Sequence, residues 1–340
     1  MPGNMKNNIH VNKADRFIRL IISCLVFLLL CIVLLISTSG LFQPKYYFAA
    51  DLKSPETEMW ENFYDLPENS LTTVFVGDSS VYCGVDTARF NSLTGESSFD
   101  LAVSSGCFME GYYMLQELLR YQKPKTVVLD MNSVTRDYSK NAVMSMRPFQ
   151  DMKWSKVKWD ALTDKNRGLG KKDILMRIFT IFEYHDRWKE LSDVDVHPDM
   201  YKTNVLGYAP SNDIGEGLYH DRFSIEEDLE YNEIPSYYFD KIVSLCDEHD
   251  MKLILIKVPK IDWNISHMEL SEDLAEEYGL DYIDYNVDTN YYRIGIDDEK
   301  DWRDASHLNV HGAKKFTDIL AEDLQILSTS APRRHAVEQF

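Results

Sequence analysis

A chain of 340 residues with 44% hydrophobic and 12% aromatic residues holds ample material for a core, which excludes an intrinsically disordered polypeptide. Its formal net charge of −19 argues against a nucleic-acid partner, because phosphate binding needs clustered Lys and Arg. Five cysteines without a C-x-x-C pair form no metal pattern and imply no disulfide framework.

Residues 1–19 carry Lys6, Lys13, Arg16 and Arg19 against Asp15, a basic tail of +3. Leu20 to Ile36 is then seventeen apolar or small residues without a charge, and Ser37 to Phe42 extends the run to twenty-three. About 20 helical residues cross a bilayer. Residues 20–42 are therefore predicted to be an uncleaved transmembrane anchor, with 1–19 in the cytoplasm and everything after Phe42 outside. A cleaved signal peptide is the rival reading, but its apolar core usually runs about 7–15 residues and a prompt A-x-A site is missing. The rest of the chain holds −22, so the outer domain should not lie flat on anionic lipid.

A polar linker is predicted at 43–70, and a folded domain at 71–328. Thr72–Val76 reads as a strand, Asp86–Leu93 as a short helix and Ser98–Val103 as a second strand. Met109–Tyr121 has apolar residues at helical spacing and is stopped by Pro124. Thr126–Leu129 is a strand apolar enough to be buried on both faces. This order points to an α/β domain with a parallel sheet. The stretch 133–235 is less regular and reads as an insertion, with a helix over Lys172–Glu190. Regularity returns with a helix at Ser236–His249, the strand Leu253–Val258, a helix at Ser271–Tyr278 and the strand Tyr282–Asp284. A loop with Asp304 and His307 follows. The final helix spans Val310 to Leu327, with Phe316, Ile319, Leu320 and Leu324 on one face. Residues 329–340 read as a frayed tail.

The chemistry is expected where an apolar run breaks at Val76-Gly77-Asp78-Ser79. A serine hydroxyl attacks at neutral pH only when a base takes its proton, and that base must itself be oriented. Ser79 at a strand's carboxyl end stands where ligand sites of open α/β sheets cluster. His307 is the candidate base, and Asp304 the group that holds its other ring nitrogen. Asp78 is expected to cap a helix start, Asn309 to cap the last helix and His311 to be a surface residue. Cys83, read as lacking a basic neighbour, is expected to be buried filler. Signatures for an α/β-hydrolase elbow, a phosphate loop, a zinc protease or a calcium loop are missing, so no metal or cofactor is called for.

Gly77-Asp78-Ser79, followed much later by Asp304-Ala305-Ser306-His307, resembles the first and last blocks of the SGNH (GDSL-type) hydrolase superfamily. That resemblance implies a three-layer α/β/α flavodoxin-like domain that transfers or hydrolyses acyl esters. Met152-Lys153-Trp154-Ser155-Lys156, Tyr184-His185-Asp186-Arg187-Trp188 and Asp304-Ala305-Ser306-His307-Leu308-Asn309 are similar to a membrane-anchored bacterial branch. That branch is paired with membrane-bound O-acyltransferases and resembles the D-alanine transfer proteins of teichoic acid operons. The chain departs from it at Ser80, where many relatives carry histidine. The superfamily's oxyanion hole implies the Ser79 backbone, Gly106 and Asn132 as donors, although the Gly-x-Asn surrounding the asparagine is missing here. Arg187, Trp188 and His185 are candidates for binding substrate, Arg187 through a phosphate or carboxylate and Trp188 by stacking on a sugar.

The reading is a single-pass, outward-facing serine acyltransferase that moves an acetyl- or D-alanyl-type group onto a surface polysaccharide or teichoic acid. A membrane-bound O-acyltransferase is the expected partner. An esterase using the same triad and a non-catalytic adaptor for that partner stand as alternatives.

Overall fold

The structure, a computed structural model, describes residues 13–46, 54–135, 147–216 and 233–329. It opens with helix α1 (Lys13–Phe42), long and apolar enough to cross a membrane, in which Ser39 is the single buried residue. Helix α2 (Pro55–Tyr64) follows, inside the stretch expected to be a linker. Its Met59, Trp60 and Phe63 are core residues, and its polar face is buried as well. Glu58 accepts the Thr203 N–H at 2.9 Å and also the Asn204 N–H, and Glu56 accepts the Ser104 N–H at 2.8 Å. Polar residues that suggest a linker are here pins between distant loops.

The sheet is built from β1 (Thr73–Gly77), α3 (Ser79–Gly84), α4 (Thr87–Thr94), β2 (Ser98–Ala102), α5 (Phe108–Leu118) and β3 (Thr126–Asp130). The middle of the chain adds short helices α6 (Arg147–Gln150), α7 (Lys156–Thr163), α8 (Lys171–Ile178), α9 (Ile181–Tyr184) and α10 (Asp193–Val196). Then come α11 (Glu233–Glu248), β4 (Lys252–Lys257), α12 (Ile265–Tyr278), β5 (Asp281–Asp284), α13 (Asp288–Ile294) and the hairpin β6 (Trp302–Asp304)–β7 (His307–Leu308). Helix α14 (Val310–Thr329) ends the described chain. The tail expected at 329–340 lies outside the described residues apart from Thr329, as does 1–12 of the basic tail.

Five strands pair in parallel in the order β2-β1-β3-β4-β5, the flavodoxin-like order of a doubly wound sheet. Side chains of a strand alternate between faces, and here each face meets its own helical layer. Val74, Val76, Val127, Leu129, Leu253 and Leu255 face the cluster that holds α2, α5, α11 and α12. Phe75, Val128, Ile254 and Ile256 face the cluster of α3, α4, α13 and α14. The expected α/β/α sandwich with a parallel sheet is therefore present, preceded by one apolar helix.

The largest departures from the expected helices lie in α12 and in the stretch Lys172–Glu190. Helix α12 begins six residues before Ser271, because Asn264 caps it and accepts the His267 N–H at 3.1 Å. The single helix expected over Lys172–Glu190 is α8, α9 and a 3₁₀ turn at His185–Lys189. The run Ile178-Phe179-Thr180-Ile181 is aromatic and β-branched, poor helix material. The freed Ile181 N–H finds a tertiary acceptor instead, Ser39 Oγ at 3.1 Å.

Candidate active site

Strand β1 ends at Gly77, whose backbone passes so close to its surroundings that a Cβ would lie 2.5 Å from Val81 and 2.9 Å from Asp130. Asp78 then turns the chain into α3. One of its oxygens accepts the Ser80 N–H at 2.8 Å and the Ser80 hydroxyl at 2.7 Å. Its other oxygen accepts from Asn132 Nδ2. Asn132 sits in the 3₁₀ turn directly after β3, where its own N–H donates to Asp130 at 3.0 Å. Asp78, the neighbour of Ser79, and Asn132 are thus joined where the strand order reverses, between β1 and β3, the place where such sheets bind ligands. Ser80, where a histidine was the common alternative, is buried and serves the cap.

His307 arrives from the far end of the chain on a hairpin, not on the plain loop expected. Its Nε2 lies 2.7 Å from Ser79 Oγ, and its Nδ1 lies 2.7 Å from Asp304 Oδ1. The hairpin is held by Asn309, fully buried, whose Nδ2 donates to Lys300 O at 2.7 Å. Its Oδ1 accepts the His311 N–H at 3.0 Å, so Asn309 also caps α14. Asp304 accepts further bonds from the Ser306 N–H at 2.9 Å and from Arg303 Nε at 3.0 Å. Burial alone would raise the Asp304 carboxyl, but the bonds from His307, Ser306 and Arg303 outweigh it and hold the group well below the usual carboxylate range. Asp304 is thus a fixed anion behind His307, and the imidazole is oriented with Nε2 toward the serine.

Arg303 is a site residue that the sequence reading passed over. Its guanidinium also reaches Cys83 Sγ at 3.4 Å, so Cys83 does have a basic neighbour. Burial nevertheless pushes the Cys83 thiol up to about 12, so it stays neutral and is no rival nucleophile. The signal for Arg303 was its position beside Asp304. A second group passed over is the buried pair Asp130–Lys257, 3.0 Å apart, which fixes the turn that carries Asn132.

The three expected oxyanion donors are placed differently from one another. The Ser79 N–H opens α3, where no intrahelical acceptor exists for it. Asn132 Nδ2 carries two hydrogens, one of which goes to Asp78, and the second remains for another acceptor. The Gly106 N–H is spent on Val103 O at 3.0 Å. Gly106 contributes close packing instead, since a Cβ there would lie 2.8 Å from Gly77 O.

The substrate-binding candidates of the insertion do not join this group. Arg187 is 8% exposed and turned toward the end of α1, donating to Phe42 O at 2.6 Å and pairing with Asp195 at 3.0 Å. Its charge is satisfied there. Trp188 is exposed, with Lys189 over its ring, and His185 contacts Phe182 O of its own turn. Among the described residues there is no cluster of His, Cys, Asp and Glu able to hold a metal.

No family model and no curated protein matches the chain in sequence. Solved structures that resemble it include a candidate acylhydrolase of Bacteroides fragilis, at 12% identity and TM-score 0.38, covering 78% of this chain and 94% of that one. A GDSL-like lipase of Bacteroides thetaiotaomicron matches at 12% identity and TM-score 0.37, over 80% and 99% of the two chains. An acetyl xylan esterase of the rumen bacterium Butyrivibrio proteoclasticus matches at 11% identity and TM-score 0.31, over 77% and 66%. Likenesses this distant leave the chemistry to be read from the site itself.

Proposed function

We propose that the protein is a membrane-anchored serine enzyme of SGNH type that acts on acyl esters outside the membrane. The observation that carries this reading is the unbroken chain Ser79 Oγ–His307–Asp304, with both links at 2.7 Å. In this mechanism His307 Nε2 takes the hydroxyl proton as Ser79 Oγ bonds to the ester carbonyl carbon. The developing oxyanion is met by the Ser79 N–H and the free hydrogen of Asn132 Nδ2. His307 then gives the proton to the leaving oxygen as the C–O bond breaks, which leaves acyl-Ser79. A second hydroxyl, deprotonated by His307, takes the acyl group and restores the serine.

The acceptor favoured here is a hydroxyl of a surface polysaccharide or teichoic acid, with an acetyl- or D-alanyl-type acyl group supplied through a membrane-bound O-acyltransferase. The anchor supports transfer over hydrolysis, because a tether raises the effective concentration of the site near a membrane-borne donor. It also supports the orientation with residues 1–19 inside. A vestigial triad, as the adaptor reading requires, would have no reason to keep both bonds at 2.7 Å.

The test is fluorophosphonate labelling of the full-length protein in detergent, with the adduct mapped by mass. Wild type should carry the adduct on Ser79, and Ser79→Ala and His307→Ala should carry none. Turnover of an aryl ester in these variants should fall by about 10⁴–10⁶. A folded wild type that stays unlabelled would sink autonomous catalysis. Product analysis with water alone and with an added oligosaccharide then separates hydrolysis from transfer.

A further inference from the structure

The insertion packs on the anchor at one height of the helix. Ser39, the single buried residue of α1, accepts the Ile181 N–H, and Phe42 O accepts Arg187 Nη1 at 2.6 Å. Hydrocarbon is crossed by about 20 helical residues, each rising about 1.5 Å. Counted from Leu20, the first residue past the charged Arg19, the crossing is complete at Ser39. The point where α9 grips α1 is therefore where the helix leaves the hydrocarbon for the headgroups.

The surface around that grip carries exposed apolar groups together with basic ones. Of the apolar side chains on α8 and α9, Leu175 and Phe182 are exposed, Ile174, Met176 and Ile181 are half-covered, and Ile178 packs against the core. Phe182 is 49% exposed and Trp188, in the following turn, 62%. Lys171 to Lys189 holds five basic and three acidic residues, a local +2 in a chain of −19, and its Arg187 is paired with Asp195. Uncovered apolar and aromatic side chains edged by lysines are what the interfacial zone of a bilayer accepts, with rings at headgroup level and ammonium groups reaching anionic lipid.

We infer that α8, α9 and the turn to Lys189 form a collar that lies in the outer interface of the membrane. This inference rests on α1 spanning the bilayer as proposed. The collar joins α1 at Ser39 and Phe42 and sets its apolar side chains among lipid headgroups. The acidic remainder of the domain is held off the surface, and the domain stands on the membrane at a fixed height instead of swinging on a linker.

The experiment places p-benzoylphenylalanine in turn at Phe182, Trp188, Leu28 of the anchor and Tyr292 on α13, all of them exposed positions. The full chain is reconstituted into vesicles of equal parts phosphatidylcholine and phosphatidylglycerol, irradiated, and assayed for lipid adducts by mass. Adducts at 182 and 188 comparable with those at 28, and severalfold above those at 292, are the expected result. Adducts at 28 without adducts at 182 and 188 overturn the collar and leave the anchor standing. No adduct at 28 overturns the anchor reading itself. Equal yields at 182 and 292 also overturn the collar, because the contact is then unspecific.

Discussion

One carboxylate, Asp304, takes His307 on one oxygen and Arg303 on the other. The arginine is a positioning residue, since it touches the group behind the base and not the reacting atoms. Replacing it by methionine removes a charged hydrogen bond and a positive charge near the imidazole. Arg303→Met should lower kcat by about 10–100-fold, the size of such a bond. It should leave KM for a small ester nearly unchanged, because the guanidinium touches Asp304 and Cys83 and not the reacting atoms. A comparable rise in KM would mean that Arg303 supports the substrate site and not the base. Gly106 makes the opposite kind of demand, for space. In Gly106→Ala the new methyl meets the Gly77 carbonyl oxygen, which is backbone and cannot swing aside. Overpacking of this kind costs about 1–3 kcal/mol, to be read as a lowered denaturation midpoint. An unchanged midpoint would mean that the Ser104–Gly106 turn is free to move.

Helix α2 shows best why some elements can be read in the chain and others cannot. The strands stand out because their runs are apolar and each is closed by a turn, as at Gly77 and Pro259. Ser79, Asp304 and His307 stand out because Gly-Asp-Ser after a strand and Asp-x-x-His are short local patterns. Helix α2 has neither cue. Glu56, Thr57 and Glu58 look solvent-facing in sequence, and only the distant loops at Ser104, Asp151 and Thr203 make them interior. Arg187 is illegible for the same reason, its partners Phe42 and Asp195 being set by how the insertion folds back. If α2 belongs to the domain, Trp60→Ala should cost about 3–5 kcal/mol, the range for deleting a buried tryptophan. Its indole also donates to Pro148 O at 2.5 Å, so the variant should loosen α6 as well. A loss near zero in urea denaturation would return α2 to the status of a linker. Helices α6 and α7 offer a second check through Lys158, buried with its ammonium on Gln150 O and Met152 O at 2.9 and 2.8 Å. Burial pushes this ammonium down to about 8. Below pH 8 it is charged in both states, and the folded state carries the full cost of burying the charge. Between about 8 and 10.4 the unfolded chain binds more protons, so this group makes stability rise with pH, by up to about 1.4 kcal/mol per unit. The stability of wild type relative to Lys158→Met should therefore climb between pH values of about 7 and about 9.5. Parallel profiles for the two proteins would rule this out.

At the scale of the whole molecule, the candidate site and the apolar helix α1 belong to parts of the chain that are bonded to one another. The junction is more than a tether. Arg187 joins the end of α1 to Asp195, Gln43 donates to Asp151 at 2.9 Å, and Tyr46 lies under the Arg187 guanidinium. If α1 spans the bilayer as proposed, a domain held this way presents Ser79 at a constant distance from the lipid. A loose one would sample many distances and lose effective concentration toward a membrane-borne ester. Arg187→Met breaks the central bond of the junction without touching Ser79, His307 or Asp304. The variant should hydrolyse a small water-soluble ester as wild type does, with unchanged kcat and KM. Toward an ester presented on vesicles by a lipid tail, its kcat/KM should fall severalfold. A thermal scan accompanies both assays, because Asp195 is left buried without its cation and the melting temperature should drop. Equal losses on the two esters would mean that Arg187 supports the site itself. No loss on either would mean that the junction is ornamental and the anchor a plain leash.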